Sequence, residues 1–457
     1  QAIGSGMLLA AAVDRPQDEV LRCLAQPLNG EFIVPVRERT GRREFQFGHD
    51  RVQQAAYALR GAQPLPDVHV AIGRALWRRT PAEELDQAVF SIVDQLNHGV
   101  TLVHQPEERT AIARLNLRAG ILAKNALAYH AAAVYLRTGV EFLPADVWDT
   151  DYALAYDVHM HKAESLSMLA RHDDFTAVIG CLLQQVRGVD DRLRVRTRQI
   201  NHLCQHGDVE EALEIGRQSL IDAGVAIPPL RDKAALDAAF HRELEAFRFT
   251  VGGREVHTLL SQLPTSTEVR TDILLKLISS MSDAGTLVNQ PLLNLLAVIG
   301  VTRSLQDGAV ALSPFCCVLL GQGIIADGLA YREAQALAQA ALRLSTERFR
   351  DVWSIGRSRV HLLWFVLHWS RPIAQSLEQI EESFQATIKA HDPHYGGYML
   401  AAATITEFTI GRSLSSVCVA HQRVMAHCAA FGMETVPGHT VCLAAAAAAL
   451  MESTAGM

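Results

Sequence analysis

Apolar and polar positions along this chain follow two different rhythms, and the switch between them divides it. Within Arg15–Gln26, Val20, Leu21 and Leu24 recur at helical spacing, which predicts a helix ended by Pro27 and Asn29-Gly30. Phe32-Ile33-Val34-Pro35-Val36 and Phe45-Gln46-Phe47 then flank a polar, glycine-containing stretch, as the two strands of a hairpin would. Behind Asp50, placed to cap a further helix, Val52, Ala55, Ala56 and Leu59 step by i, i+3, i+4 and i+7. Helix, hairpin, helix in this order predicts part of a winged helix in residues 1–60.

From Pro64 onward the pattern is helical, and no stretch reads as a strand. Ile112, Leu115, Ala119, Leu122 and Ala126 step by three and four, as one face of a long helix should. A unit also recurs. His172-Asp173-Asp174-Phe175-Thr176-Ala177-Val178 aligns with His206-Gly207-Asp208-Val209-Glu210-Glu211-Ala212, and the step from 172 to 206 is 34 positions, the period of tetratricopeptide repeats. In each copy a polar turn ends one helix and a small residue soon after lets the next approach closely.

After Val209 the stripe Ala212, Leu213, Gly216, Leu220 and Ala223 marks the second helix. Other second-helix starts are read at Ala128–Val134 and Tyr331–Ala334. Ile373–Ser376 and Leu414–Val417 follow at steps of 42 and 41, so the later helices should be longer. Ile227-Pro228-Pro229 interrupts the pattern and is either a hinge between two repeat halves, 61–226 and 227–457, or an ordinary loop. The expectation is an all-α fold: a tetratricopeptide-like αα superhelix preceded by a partial winged helix with a small β-hairpin. One helix pair cannot bury its stripe alone, whereas stacked pairs can, and they leave a concave surface for a protein partner or a small ligand.

Composition narrows the function classes. Hydrophobic residues make up 49% of the 457, enough for a core, while aromatics are only 6%, which favours helices packed through small side chains over β-sandwiches. The net charge of −7 argues against general nucleic-acid binding. Arg37, Arg39, Arg42 and Arg43 make the wing basic, but Glu38 and Glu44 dilute it, and a solvated hairpin or one facing another domain is expected rather than a DNA reader. Eight cysteines without C-x-x-C fit a reducing cytoplasm, with Cys316 and Cys317 as buried thiols. No secretory leader pattern opens the chain. Val310–Ala326 and Val441–Met451 read as buried helices, not membrane spans, and the chain reads as a fragment.

The motifs of common enzymes are missing: G-x-x-x-x-G-K-[ST], G-x-S-x-G, H-E-x-x-H and the kinase catalytic motifs. No catalytic residue and no metal site is therefore expected. His159 and His161, at i and i+2, point to different sides of a helix. His391-Asp392-Pro393-His394 could offer at most three zinc ligands and reads instead as a polar turn between helices.

One run is more specific. Phe45-Gln46-Phe47-Gly48-His49-Asp50-Arg51-Val52-Gln53-Gln54-Ala55-Ala56-Tyr57 resembles a segment of the "predicted ATPase" modules of bacterial hybrid sensor histidine kinases and related Ser/Thr kinases, which belong to the STAND class of AAA-like ATPases. Arg114–Gly120, Ala212–Gly216 and Tyr395-Gly396-Gly397-Tyr398 resemble the same modules. The resemblance implies a nucleotide-binding domain before this region, with phosphosensor and kinase domains often after it. It also implies a role for His49 and Asp50 as a nucleotide-sensing pair, His49 reaching the β-phosphate of ADP; the alternative is that Asp50 only caps its helix and His49 packs on the hairpin. ADP or ATP would be held through a domain that these residues do not contain. By this resemblance the chain is a regulatory and protein-interaction module that couples a ligand or partner to nucleotide state and kinase output. A stand-alone interaction scaffold and the regulatory arm of a STAND-type transcriptional regulator are the alternatives.

Overall fold

A computed structural model describes residues 2–5, 9–10, 13, 15–39, 42–58, 65–254, 256–328 and 330–455. The chain forms two compact units, Gln1–Leu166 and Ser167–Met457. In the first, strands β1 (Ala2–Ser5), β2 (Ile33–Arg39) and β3 (Arg42–Phe47) make an antiparallel sheet in the order β1-β3-β2. The β2–β3 hairpin is the one expected, in a register that sets Ile33 opposite Phe47 and Pro35 opposite Phe45. The third strand, β1, is not legible in the periodicity. Helix α1 (Gln17–Asn29) precedes the hairpin and runs through Pro27 rather than stopping there. Proline sits in its last turn, where one lost N–H is offset by Gly30 N donating to Gln26 O and Phe32 N to Pro27 O. Helix α2 (Asp50–Ala58) follows; Leu59, expected on its apolar face, lies outside the described residues, as do the side chains of Arg37, Arg39, Arg42 and Arg43.

The rest of this unit is α3 (Leu65–Arg79), α4 (Leu85–Leu96), α5 (Pro106–Asn125), α6 (Tyr129–Phe142) and most of α7 (Tyr152–Met168). Val89, Ile92, Val93 and Leu96 of α4 pack with Ile112, Leu115 and Ala119 of α5 and with Phe142. Each such side chain contributes about 1.5–3 kcal/mol by leaving water. Gly120 lets α5 and α6 meet: a Cβ there would stand 2.5 Å from Leu136 Cγ, inside any real contact distance.

The second unit continues as helix pairs: α8 (His172–Gln185), α9 (Val189–Gln205), α10 (Val209–Asp222), α11 (Lys233–Val251) and α12 (Val256–Gln262). Then come α13 (Val269–Val288), α14 (Gln290–Asp307), α15 (Ser313–Gly328), α16 (Tyr331–Arg343), α17 (Val352–His361), α18 (Leu377–Lys389), α19 (Pro393–Thr409), α20 (Leu414–Phe431) and α21 (Val441–Ala455). The fold is all-α and repeat-like. Successive helices pack as neighbours, α13 on α14, α15 on α16, α17 on α18 and α19 on α20. Second helices begin where the spacing predicts: α6 at Tyr129, α16 at Tyr331 and α20 at Leu414, with Ile373–Ser376 forming the tight turn into α18.

Two sequence expectations need correction. The pairs containing α8 and α10 are related by 37 positions, from 172 to 209, not 34, and their left-handed turn residues Ala170 (φ 52°) and Gly207 (φ 90°) keep the same step. His172 therefore opens α8, whereas His206 ends α9. A slip of three residues is close to one helical turn, so it leaves the apolar stripe in phase and the pattern cannot detect it. Val441–Met451 is helical as expected but mostly not buried: Val441 and Leu450 are 49% and 51% exposed, and α21 packs mainly on α20 and the turn before it. Of Val310–Ala326, by contrast, the stretch from Leu312 to Ile325 is buried throughout. No helix of the described residues is long and apolar enough to cross a membrane. Ile227–Pro229 lies in the connection between α10 and α11, within the second unit.

Candidate functional site

Helix α13 is buried nearly all round, yet its middle reads Ser279-Ser280-Met281-Ser282-Asp283. An apolar helix can carry a carboxylate there only if the surrounding elements supply partners. They do. Asp283 Oδ2 lies 3.1 Å from His394 Nε2, both side chains being about 5% exposed or less, although the contact lacks the alignment of a hydrogen bond. Burial opposes ionisation of Asp283, but His394 and the Arg357 charge outweigh it and hold the carboxyl below its usual range.

Arg357, on α17, is the centre of the arrangement. Its Nε donates to Asp392 Oδ2 at 2.7 Å and its terminal nitrogen to Ser279 O and Oγ, both at 3.1 Å. The guanidinium lies between the Trp353 and Tyr395 rings, 4.1 and 4.2 Å from their centroids. Despite burial, the charges of Asp392, Tyr395 and Asp283 raise its pKa further. Asp392 has a second task as the cap of α19, accepting from Tyr395 N. Around the charges run neutral bonds: Tyr395 Oη to Ser282 Oγ at 2.9 Å and to His361 Nε2 at 3.4 Å, and His361 Nδ1 to Gln322 Oε1 at 2.9 Å. Burial pushes His361 down to about 4, and burial with the Asp283 charge raises Tyr395 well above its ordinary value. Four helices, α13, α15, α17 and α19, are thus tied by one sealed polar network. Groups so enclosed can hold helices in register and respond when the helices shift.

His49 and Asp50, the residues singled out from the sequence, stand elsewhere. Both are exposed at the start of α2. His49, not Asp50, occupies the position before the helix: its Nδ1 accepts from Arg51 N at 3.1 Å and its carbonyl from Val52 N and Gln53 N. Asp50 is instead the first helical residue. The His391–His394 turn does connect two helices, with His391 at φ 55°. Its Asp392 and His394 pair with different residues, Arg357 and Asp283, within the network just described. Cys316 and Cys317 are fully buried, and burial pushes both thiols up, Cys317 to about 12. Sequence reasoning missed Asp283, Arg357 and His361. The available signal was a lone carboxylate inside the otherwise uncharged Leu277–Gly285 run, which no spacing rule connects to an arginine on a distant helix.

No family model matches the chain. Over 389 residues, 76% of this chain, it is 19% identical to hybrid signal transduction histidine kinase G of Dictyostelium discoideum, and the match spans 11% of that protein's length. Among solved structures, a circular tandem repeat protein with novel repeat topology and enhanced subunit contact surfaces is similar across 98% of this chain and 96% of its own, but 12% identity and a TM-score of 0.14 are too low to bear on architecture. The kinase likeness supports, in general, a regulatory or interaction role in signal transduction for a chain of this kind.

Proposed function

We propose that this chain is the regulatory arm of a large signalling protein, converting the docking of a partner or small ligand on its helix pairs into a change in nucleotide state and kinase output elsewhere in that protein. The observation that supports this most is the long, collinear likeness to one small stretch of a hybrid histidine kinase. A docked molecule shifts output only if it binds two arrangements of the helices with different affinity. The sealed centre on Arg357 suits such a role, since any relative movement of α13, α17 and α19 must break or remake charged contacts.

On this reading residues 1–60 act as the winged-helix portion that faces a nucleotide-binding domain. His49 and Asp50 are exposed there, at the N-terminal end of α2. With Nδ1 accepting from Arg51 N, the neutral imidazole carries its proton on Nε2 and can donate it to a phosphate, beside the positive end of the helix dipole.

The test uses the full-length parent. His49→Ala is expected to weaken ADP retention about tenfold, the loss of roughly one charge-assisted hydrogen bond, and to raise basal phosphotransfer. ADP exchange and output at wild-type levels would overturn the nucleotide-sensing role. A parent reading frame with neither a nucleotide-binding domain nor a kinase core would overturn the whole reading and leave a free-standing scaffold.

A further inference from the structure

We propose that His172, His202 and His206 form a binding site for a zinc-class divalent metal ion, a site independent of the signalling role argued above. Among the described residues these three histidines are the one group of metal-ligating side chains whose donor atoms all lie within 4.8 Å of one another. The backbone brings them together in a simple way. His202 is on the last turn of α9 and His206, four positions on, is the residue that closes it, so the two lie on the same side. His172 opens α8, one connection away, and the left-handed Ala170 turns the chain so that its ring meets theirs.

Donor geometry is close to that of a tripod. His172 Nδ1 and His202 Nε2 are 3.1 Å apart. Two imidazole nitrogens bound to one tetrahedral zinc at 2.0–2.1 Å are separated by roughly 3.3 Å, so this pair already spans a metal. The third nitrogen must close by at most about 1.5 Å, a movement that small side-chain rotations supply. The rings sit at steep angles to one another, 59° for His172 with His202, 56° for His202 with His206 and 85° for His172 with His206, so none of the three pairs is a parallel stack.

Two further observations set this cluster apart from ordinary aromatic packing. His206 Nε2 is buried without a hydrogen-bond partner, an arrangement that costs free energy unless something binds it. His202 is held as ligand histidines are: Ser167 Oγ bonds its Nδ1 at 2.9 Å, and Phe175 stacks on the ring at 3.9 Å. Burial lowers the pKa of both His202 and His206, which favours the neutral imidazole that a metal requires. His172 is exposed, which leaves a route for the ion and a fourth position for water. Three neutral imidazoles suit zinc and its neighbours rather than magnesium or calcium, which require oxygen donors.

The site lies where the beginning and end of the second unit touch. Glu434 N donates to Gln205 O at 3.2 Å, and Gly432, in the left-handed region at φ 62°, has room only for hydrogen against Ala170 and lies beside His206 Cε1. A metal here would clip the end of α9 to the start of α8 beneath the connection from α20 to α21.

The experiment is metal titration of the tag-free, full 457-residue chain. Cobalt(II) is expected to bind at one equivalent with the intense visible ligand-field bands of a low-symmetry, four-coordinate site, and zinc to displace it and raise the unfolding temperature. His172→Ala, an exposed substitution that should fold normally, is expected to lower cobalt and zinc affinity at least tenfold, as is His206→Ala. His241→Ala, on α11, should leave both unchanged. Absence of the visible bands, or one-equivalent binding that survives both His172→Ala and His206→Ala, would overturn the site.

Discussion

The two units solve the problem of buried charge differently. In the first, Lys124 Nζ pairs with Glu164 Oε2 at 2.8 Å and lies 3.1 Å from His161 Nδ1, but the two charged side chains keep 11% and 14% of their surface in contact with solvent. In the second, Arg357, Asp392, Asp283 and His394 retain 6% or less, and the arginine answers two carboxylates. The first is a half-open clasp between α5 and α7; the second is a closed interlock of helices far apart in sequence. Partial access to water makes a pair replaceable, whereas a sealed pair makes each member dependent on the others.

The largest consequence should follow from breaking the interlock. Arg357→Met strands buried Asp392 without its cation and leaves Asp283 only His394, and stability is expected to fall by about 3–5 kcal/mol in urea or guanidinium unfolding. Adding Asp392→Asn should recover part of the loss, because a neutral amide leaves less uncompensated charge. A midpoint equal to wild type would show that the network does not hold these helices.

Acid should act on the same place. An exposed imidazole titrates near 6.5, whereas His361 is held to about 4 by burial, opposed by Asp283 on α13 and helped by Arg357 on its own helix, with Gln322 of α15 and Tyr395 of α19 facing it. Between these two values the unfolded chain binds a proton that folded His361 refuses, so stability should fall as pH drops through that window, by up to about 1.4 kcal/mol per pH unit. Asp283, whose folded pKa is depressed, adds its loss at lower pH, as its carboxylate protonates. Stability curves from pH 7 to 4 should be measurably flatter for His361→Gln; equal slopes would remove the histidine from the account. The remaining slope belongs to other buried histidines, including His159 in the first unit, which burial also lowers.

The smallest effect should come from the half-open clasp. Lys124→Met is expected to cost about 1–2 kcal/mol, since Glu164 keeps His161 nearby and can reach water. If it costs as much as Arg357→Met, the contrast between the two units fails.

Much of the fold was legible beforehand. Helix starts at Tyr129, Tyr331 and Leu414 and the buried run around Cys316 follow from periodicity, because neighbours in sequence are neighbours in a helix pair. The repeat offset was misread by one turn, and that error also obscured chemistry. Aligning His172 with His206 as equivalent positions conceals that one opens a helix, the other ends one, and both face His202. The Asp392–His394 turn was recognised as polar, but its partners stand on α17 and α13, dozens of residues away.

Amphipathic spacing alone determined that this chain is helical, that it pairs its helices in succession and roughly where each pair turns, since those outcomes depend on contacts within a few tens of residues. Which polar groups meet was decided only by stacking. Asp283, Arg357 and Asp392 are individually unremarkable in a sequence, and it is the exclusion of water by the packed helices around them that turns three separate side chains into one coupled centre.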